Sequence, residues 1–138
     1  MDYQQMTAPC GLDCFNCTVY LSKDNESVRQ GIAEKLGIPT DQVSCNGCRA
    51  ENGTIEFIGM SEPCKVYQCI TSKNLNFCSE CETFPCDHLH PYADKAASVP
   101  HNTKVFNLCL IKRMGLENWA KEKAKSVRNT YFSADWNI

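Results

Sequence analysis

Cys64 to Cys86 reads CKVYQCITSKNLNFCSECETFPC, five thiols in 23 residues at the spacing C-x4-C-x8-C-x2-C-x4-C. Each sulfur must be bonded to a metal, bonded to another sulfur, buried as a small hydrophobe or left reactive, and the spacing selects among these fates. Cys78-Ser-Glu-Cys81 is the most informative piece, because two thiolates separated by two residues grip one ion from a single tight turn, as in zinc knuckles. The chemistry this stretch points to is sulfur and metal.

Outward from this stretch, all the further cysteines but Cys109 lie toward the N-terminus. Ten of the eleven lie between Cys10 and Cys86, among many Gly, Pro, Asn and Ser residues and few long apolar runs. That half is expected to be short of core, with metal in its place: structural zinc binds finger peptides with ~10 to 16 kcal/mol, comparable with the ~5 to 15 kcal/mol stability of a whole domain. The start, MDYQQMTAPC, has neither a basic nor an apolar signal region, and no membrane-spanning run occurs. The expected setting is therefore cytoplasmic, with reduced thiols and no membrane partner. An odd cysteine count and close C-x2-C pairs also argue against a disulfide scaffold.

Two further cysteine groups offer ligands. Ala8 to Cys17, APCGLDCFNC, places Cys10, Cys14 and Cys17 at C-x3-C-x2-C. That is also the cluster-binding spacing of radical-SAM enzymes, but their barrel needs roughly 200 residues or more. Cys45-Asn-Gly-Cys48 is a second knuckle, and Asn52-Gly53 after it signals a short β-hairpin, with Ile55 and Phe57 alternating against polar neighbours. Cys45, Cys48, Cys64 and Cys69 form the most economical first site, resembling a zinc ribbon or treble-clef half-site. Cys78, Cys81 and Cys86 would then share a second ion with Cys10, Cys14, Cys17, His88 or His90. An alternative joins Cys14 and Cys17 to Cys45 and Cys48 and leaves Cys69, Cys78, Cys81 and Cys86 together. Ten thiols exceed two tetrahedral sites by two, and the spacing alone does not choose the pairing.

The remainder reads as helix. Asn25 caps a helix through Leu36, with Val28, Ile32, Ala33 and Leu36 on one face and Gly37 ending it. Ser61 and Pro63 suit the start of a short helix carrying Cys64 and Val66. From Thr103, Val105, Phe106, Leu108, Cys109 and Ile111 form an apolar face closed by Gly115, with Cys109 expected in the core. A second helix from Glu117 to Arg128 packs through Trp119, Ala120, Ala124 and Val127. The expected fold class is therefore small, metal-stabilised and mainly α with one short β-hairpin: a knuckle- or ribbon-like first half, residues 1–90, and a helical second half, residues 101–130, in a single domain.

Charge divides the same way. The formal charge is −2, yet residues 1–100 carry 7 Lys/Arg against 13 Asp/Glu and residues 101–138 carry 7 against 3. Two tetrathiolate zinc sites would take the chain to about −6, which disfavours non-specific nucleic-acid binding by the first half. Lys121, Lys123, Lys125 and Arg128 form a basic run that reads first as a solvated face, and otherwise as a site for an acidic or nucleic-acid partner. A protein partner is the other candidate.

CGLDCFNCTVY, CNGC, C-x4-C and CSECETFPC, followed by HNTKVFNLCLIKRMGLENWA, together resemble a family of small cysteine-rich bacterial and archaeal proteins without an assigned function, described as zinc-binding. The resemblance spans roughly residues 9–120. It implies metal ligation by Cys10, Cys14, Cys17, Cys45, Cys48, Cys64, Cys69, Cys78, Cys81 and Cys86. Many members carry a further C-x2-C pair after the Trp-containing helix, and residues 121–138 here hold no cysteine.

The residues thus favour a non-catalytic zinc protein with about two ions, in sites of four thiolates or of three thiolates and one imidazole, whose folded loops display a recognition surface. One alternative is an iron-sulfur or redox protein using Cys10, Cys14 and Cys17. A second is a zinc enzyme with an open coordination position and Asp13, Glu80 or His88 as proton carrier. No HExxH, deaminase signature or phosphate loop occurs, and no catalytic residue is assigned.

Overall fold

The computed structural model describes residues 1–90 and 101–133, and all statements below concern these. Six α-helices are present: α1 Thr18–Leu21, α2 Glu26–Leu36, α3 Lys65–Ser72, α4 His101–Met114, α5 Leu116–Glu122 and α6 Ala124–Ser133, with six short 3-10 turns before and between the first four. Among the described residues β pairing is limited to one antiparallel bridge between Thr7 and Asp13.

The expected hairpin does not form. Asn52 and Gly53 do take the positive φ of a tight turn, at 50° and 81°, but Glu56–Ile58 then coils into a 3-10 turn instead of returning as a strand. The turn serves α3 instead: Gly53 N–H donates to the Cys48 carbonyl at 2.8 Å and Gly53 accepts from Cys64 N–H at 3.1 Å. A β-carbon on Gly53 would lie 2.4 Å from Tyr67 Cγ. Tertiary packing of α3 thus overrides a local turn signal that was itself correctly read.

Helix α2 begins and ends as its sequence requires. Asn25 accepts from the Val28 N–H at 3.1 Å and Gly37 closes the helix in the left-handed conformation. Its apolar stripe, however, largely faces water: Ala33 is buried, whereas Val28 and Leu36 are exposed.

The C-terminal region forms three helices, not two. Lys123, at φ −123°, interrupts the second and separates α5 from α6. On α4 the buried residues are Thr103, Lys104, Asn107, Leu108, Leu110 and Ile111, while Phe106 and Cys109 are exposed, so Cys109 is not the core cysteine that the apolar run suggested. The buried arc runs one position off the expected one because the face is set by Asn107, a polar residue that the core satisfies.

Two apolar clusters result. One joins Phe15 to Leu110, Ile111, Trp119, Ala120 and Ala124, with Phe15 edge-on to Trp119 at 5.7 Å and to Tyr3 at 5.1 Å. The other joins Ala8 and Cys10 to Val66, Ile70, Phe77, Cys78, Leu89 and Leu108. The cysteine-rich half is therefore better supplied with core than its composition indicates, because α4 lends Leu108 and the thiols themselves pack as small hydrophobes.

Candidate functional site

The Cys10 loop is the element on which the thiols converge. Ala8 N–H donates to the Leu12 carbonyl at 2.9 Å and Gly11 N–H to the Ala8 carbonyl at 2.9 Å, closing a tight turn. Gly11 has φ +88°, and a β-carbon there would stand 2.8 Å from the Lys104 carbonyl oxygen and 3.0 Å from Leu108 Cγ. Only glycine combines that φ with that approach, so α4 lies directly on the loop. Asn107 Nδ2 donates to the Gly11 carbonyl at 2.8 Å and its Oδ1 accepts from Trp119 Nε1 at 3.3 Å. At the other end of the loop, Arg128 from α6 donates to Asp13 Oδ1 at 2.8 Å and Asn16 donates to Oδ2 at 3.0 Å.

Arg49, next to Cys48, ties the remaining segments to this loop. Its Nε donates to the Thr7 carbonyl at 2.9 Å, a terminal nitrogen donates to the Asn76 carbonyl at 2.6 Å, and the guanidinium lies 5.2 Å from the Phe77 ring centre. Cys78 N–H donates to the Pro9 carbonyl at 3.0 Å. The backbone of all three cysteine segments is thus held together without reference to sulfur.

Around this frame the ten thiols fall into two sets. Cys69, Cys78, Cys81 and Cys86 line one cavity of about 20 Å³, with His88, Lys73 and Phe84 also at its wall. Lys73 Nζ donates to Cys81 Sγ at 3.2 Å, and Thr83 Oγ1 is 3.3 Å from the same sulfur. Those two contacts, that of Thr83 first, pull the Cys81 thiol down to about 7, while burial pushes Cys78 upward. On the other side are Cys10, Cys14, Cys48 and Cys64, with Cys17 and Cys45 adjoining. Burial raises Cys10 and lifts Cys14 to about 12 and Cys45 to about 11. Cys48 and Cys64 share one hydrogen bond: the proton stays on Cys48, which is raised, and Cys64 is lowered.

Several sulfurs already accept backbone N–H groups, the arrangement that stabilises thiolate. Gly47 N–H points at Cys45 Sγ at 3.4 Å, Tyr67 N–H at Cys64 Sγ at 3.4 Å, and Cys48 N–H at Cys14. Lys104, buried in α4, lowers both Cys10 and Cys64 by its charge. Each set of thiols therefore has a lysine beside it. Even so, among the described residues no group of three or more His, Cys, Asp or Glu side chains is arranged to hold a metal ion.

The split of Cys64 from Cys69 has a simple cause. Cys64 caps α3 and Cys69 follows five residues later, about 140° around the helix, so the two point to different neighbours. The local set Cys45, Cys48, Cys64 and Cys69 is not the grouping seen. His88 reaches the edge of the four-thiol cavity but is exposed. Arg49, Lys73 and Asn107 are absent from any sequence-based candidate list, since their partners lie 8 to 96 residues away and no motif marks them.

Of the expected basic run, Lys121 pairs with Glu117 at 3.0 Å and Arg128 turns inward to Asp13, which leaves no continuous cationic stripe. Among the described residues no helix is long and apolar enough to cross a membrane.

Residues 6–91 match the family model described as protein of unknown function DUF3795, and all ten clustered cysteines lie inside that segment. No match was found among the curated proteins or among the solved structures. The matched segment covers more than half of the chain, and the protein belongs to the DUF3795 family of proteins of unknown function.

Proposed function

We propose that this protein binds zinc through cysteine thiolates and that the ions act structurally, holding the cysteine-bearing loops before α1 and between α2 and α4 in one arrangement that presents a surface to another protein. The observation that carries the reading is the set Cys69, Cys78, Cys81 and Cys86 around one small cavity, drawn from a helix, a C-x2-C turn and the segment after it. Four soft donors from three segments suit one tetrahedral zinc ion, and His88 is near enough to replace one of them. The second ion belongs to Cys10, Cys14, Cys48 and Cys64, with Cys17 and Cys45 as the two thiols in surplus. Ligation requires these side chains to turn about χ1 toward a common centre, and protonated thiols have no reason to do so until an ion displaces the protons. A tetrathiolate site carries a net −2, and Lys73 and Lys104 stand where they offset it.

The six thiols gathered near Cys14 favour one other reading, an iron-sulfur cluster on Cys10, Cys14 and Cys17 with Cys45 or Cys48 as the fourth ligand. Elemental analysis of anaerobically purified protein separates the two. The expectation is about two colourless zinc equivalents per chain, with Cys78→Ser losing one and Cys48→Ser the other. A brown, iron-containing protein would establish the cluster instead, and a metal-free protein that stays folded in chelator would end both readings. Cobalt substitution then distinguishes structural from catalytic metal, since a closed tetrahedral spectrum excludes a coordinated water.

A further inference from the structure

A groove of about 480 Å³ runs between α4 and α6, and no cysteine lines it. Its floor is apolar, with Phe106 and Leu110 from α4 and Val127 and Tyr131 from α6, and Arg113 and Lys123 stand at its edge. Phe106 is 55% exposed, Tyr131 is 39% exposed and Phe132, one residue on, is 59% exposed. Large aromatic side chains left open along a concave surface mark a binding site more often than scattered exposed hydrophobes do. No carboxylate lines the groove, and among the described residues neither Arg113 nor Lys123 has an ion-pair partner.

The geometry points to this groove as the docking site for an amphipathic, acidic peptide helix of a partner protein. Two neighbouring helices leave a channel that a third helix fills, with apolar side chains at i, i+3, i+4 and i+7 on the floor and carboxylates against the two cations. Phe106 to Arg113 spans roughly 10 Å of helix, enough for about two turns of such a peptide. Other occupants fit less well. A second copy related by a two-fold axis would bring the same patch against itself and set Arg113 and Lys123 beside their own copies without a counter-charge. A nucleic acid would meet a chain of net charge −2 whose basic run is interrupted by the Lys121–Glu117 and Arg128–Asp13 pairs.

The test uses a phage library of 14-residue helical peptides, randomised on one face, selected on the wild-type protein and counter-selected on Phe106→Ser. Recovered peptides are then measured by fluorescence anisotropy at about 0.1 M salt, where surface charge interactions are only partly screened. The expected winners carry apolar residues at helical spacing and a net negative charge. Phe106→Ser and the pair Arg113→Glu/Lys123→Glu should each weaken them at least tenfold, and exchanging the peptide's Glu residues for Lys should restore binding to the charge-reversed pair. All three positions are exposed, so circular dichroism should show each variant folded. No enriched peptide, winners indifferent to these variants, or binding to a 12-nucleotide single-stranded RNA or to anionic vesicles that alone shows this sensitivity would overturn the assignment.

Discussion

Replacing Asn107 by alanine tests the link between the helical region and the Cys10 loop. Asn107 is 1% exposed and Trp119 is fully buried. The amide of Asn107 satisfies two partners at once, the Gly11 carbonyl at 2.8 Å and Trp119 Nε1 at 3.3 Å. Truncation strands both groups where water does not reach, at ~1 to 3 kcal/mol each. The vacated amide volume adds a smaller packing loss. The expected cost is about 3 to 5 kcal/mol, a large part of the ~5 to 15 kcal/mol available to a domain. Urea unfolding followed by far-ultraviolet circular dichroism measures it as a fall in midpoint at constant slope. Trp119→Phe removes the indole donor, so the double variant should cost less than the two single ones added, by roughly 1 kcal/mol. A loss below about 1 kcal/mol for Asn107→Ala at unchanged slope would refute the argument that this amide joins α4 to the loop.

Three other outcomes are expected. Gly53→Ala should cost about 2 to 4 kcal/mol, from left-handed strain at φ 81° together with the overlap on Tyr67, and a neutral result in thermal melting would show that α3 is free to shift. Arg128→Met leaves Asp13 in place with only Asn16 beside it. Because the pair is 17% and 4% exposed, a loss of about 2 to 4 kcal/mol is expected, somewhat below the ~3 to 5 kcal/mol of a fully buried pair. In the metal-free protein the folded state raises Cys45 to about 11 and Cys14 to about 12 from an ordinary value of 9.0. Their contribution is therefore complete below pH 9 and declines as pH rises through 11 and 12, because the unfolded chain ionises first. Zinc-loaded protein, in which the ligand Cys14 is already ionised, should lose the Cys14 part of that alkaline decline and keep that of the surplus Cys45, and zinc uptake at pH 7 should release protons in unbuffered solution. Identical alkaline melting curves for the two forms would count against ligation by Cys14.

Local signals were legible wherever the residues concerned are near neighbours in the chain. Asn25 and Gly37 bound α2 as their side chains demand, and Trp119, Ala120 and Ala124 are buried at the spacing that announced them. After Cys45 the Gly47 N–H is aimed at the cysteine sulfur, 3.4 Å away. Asn52-Gly53 failed as a hairpin signal for a reason that lies 14 residues away, where the Tyr67 ring and the α3 N-terminus claim the turn. Phe106 and Cys109 look like core in a helical wheel and are not, since the wheel cannot show which arc a neighbouring loop will cover.

By itself, the sequence determined a mainly helical protein with ten clustered thiols and no span for a membrane, because these depend on composition and on periodicities of a few residues. Which thiols stand together was decided only by tertiary structure. Cys69 joins Cys78, Cys81 and Cys86 because α3 turns it away from Cys64, while Arg49 ties the Cys48 segment to the Cys10 loop through the Thr7 carbonyl and Asn107 ties α4 to it through the Gly11 carbonyl. Those contacts close separations of 42 and 96 residues, and spacing along the chain carries no information about where such distant segments meet.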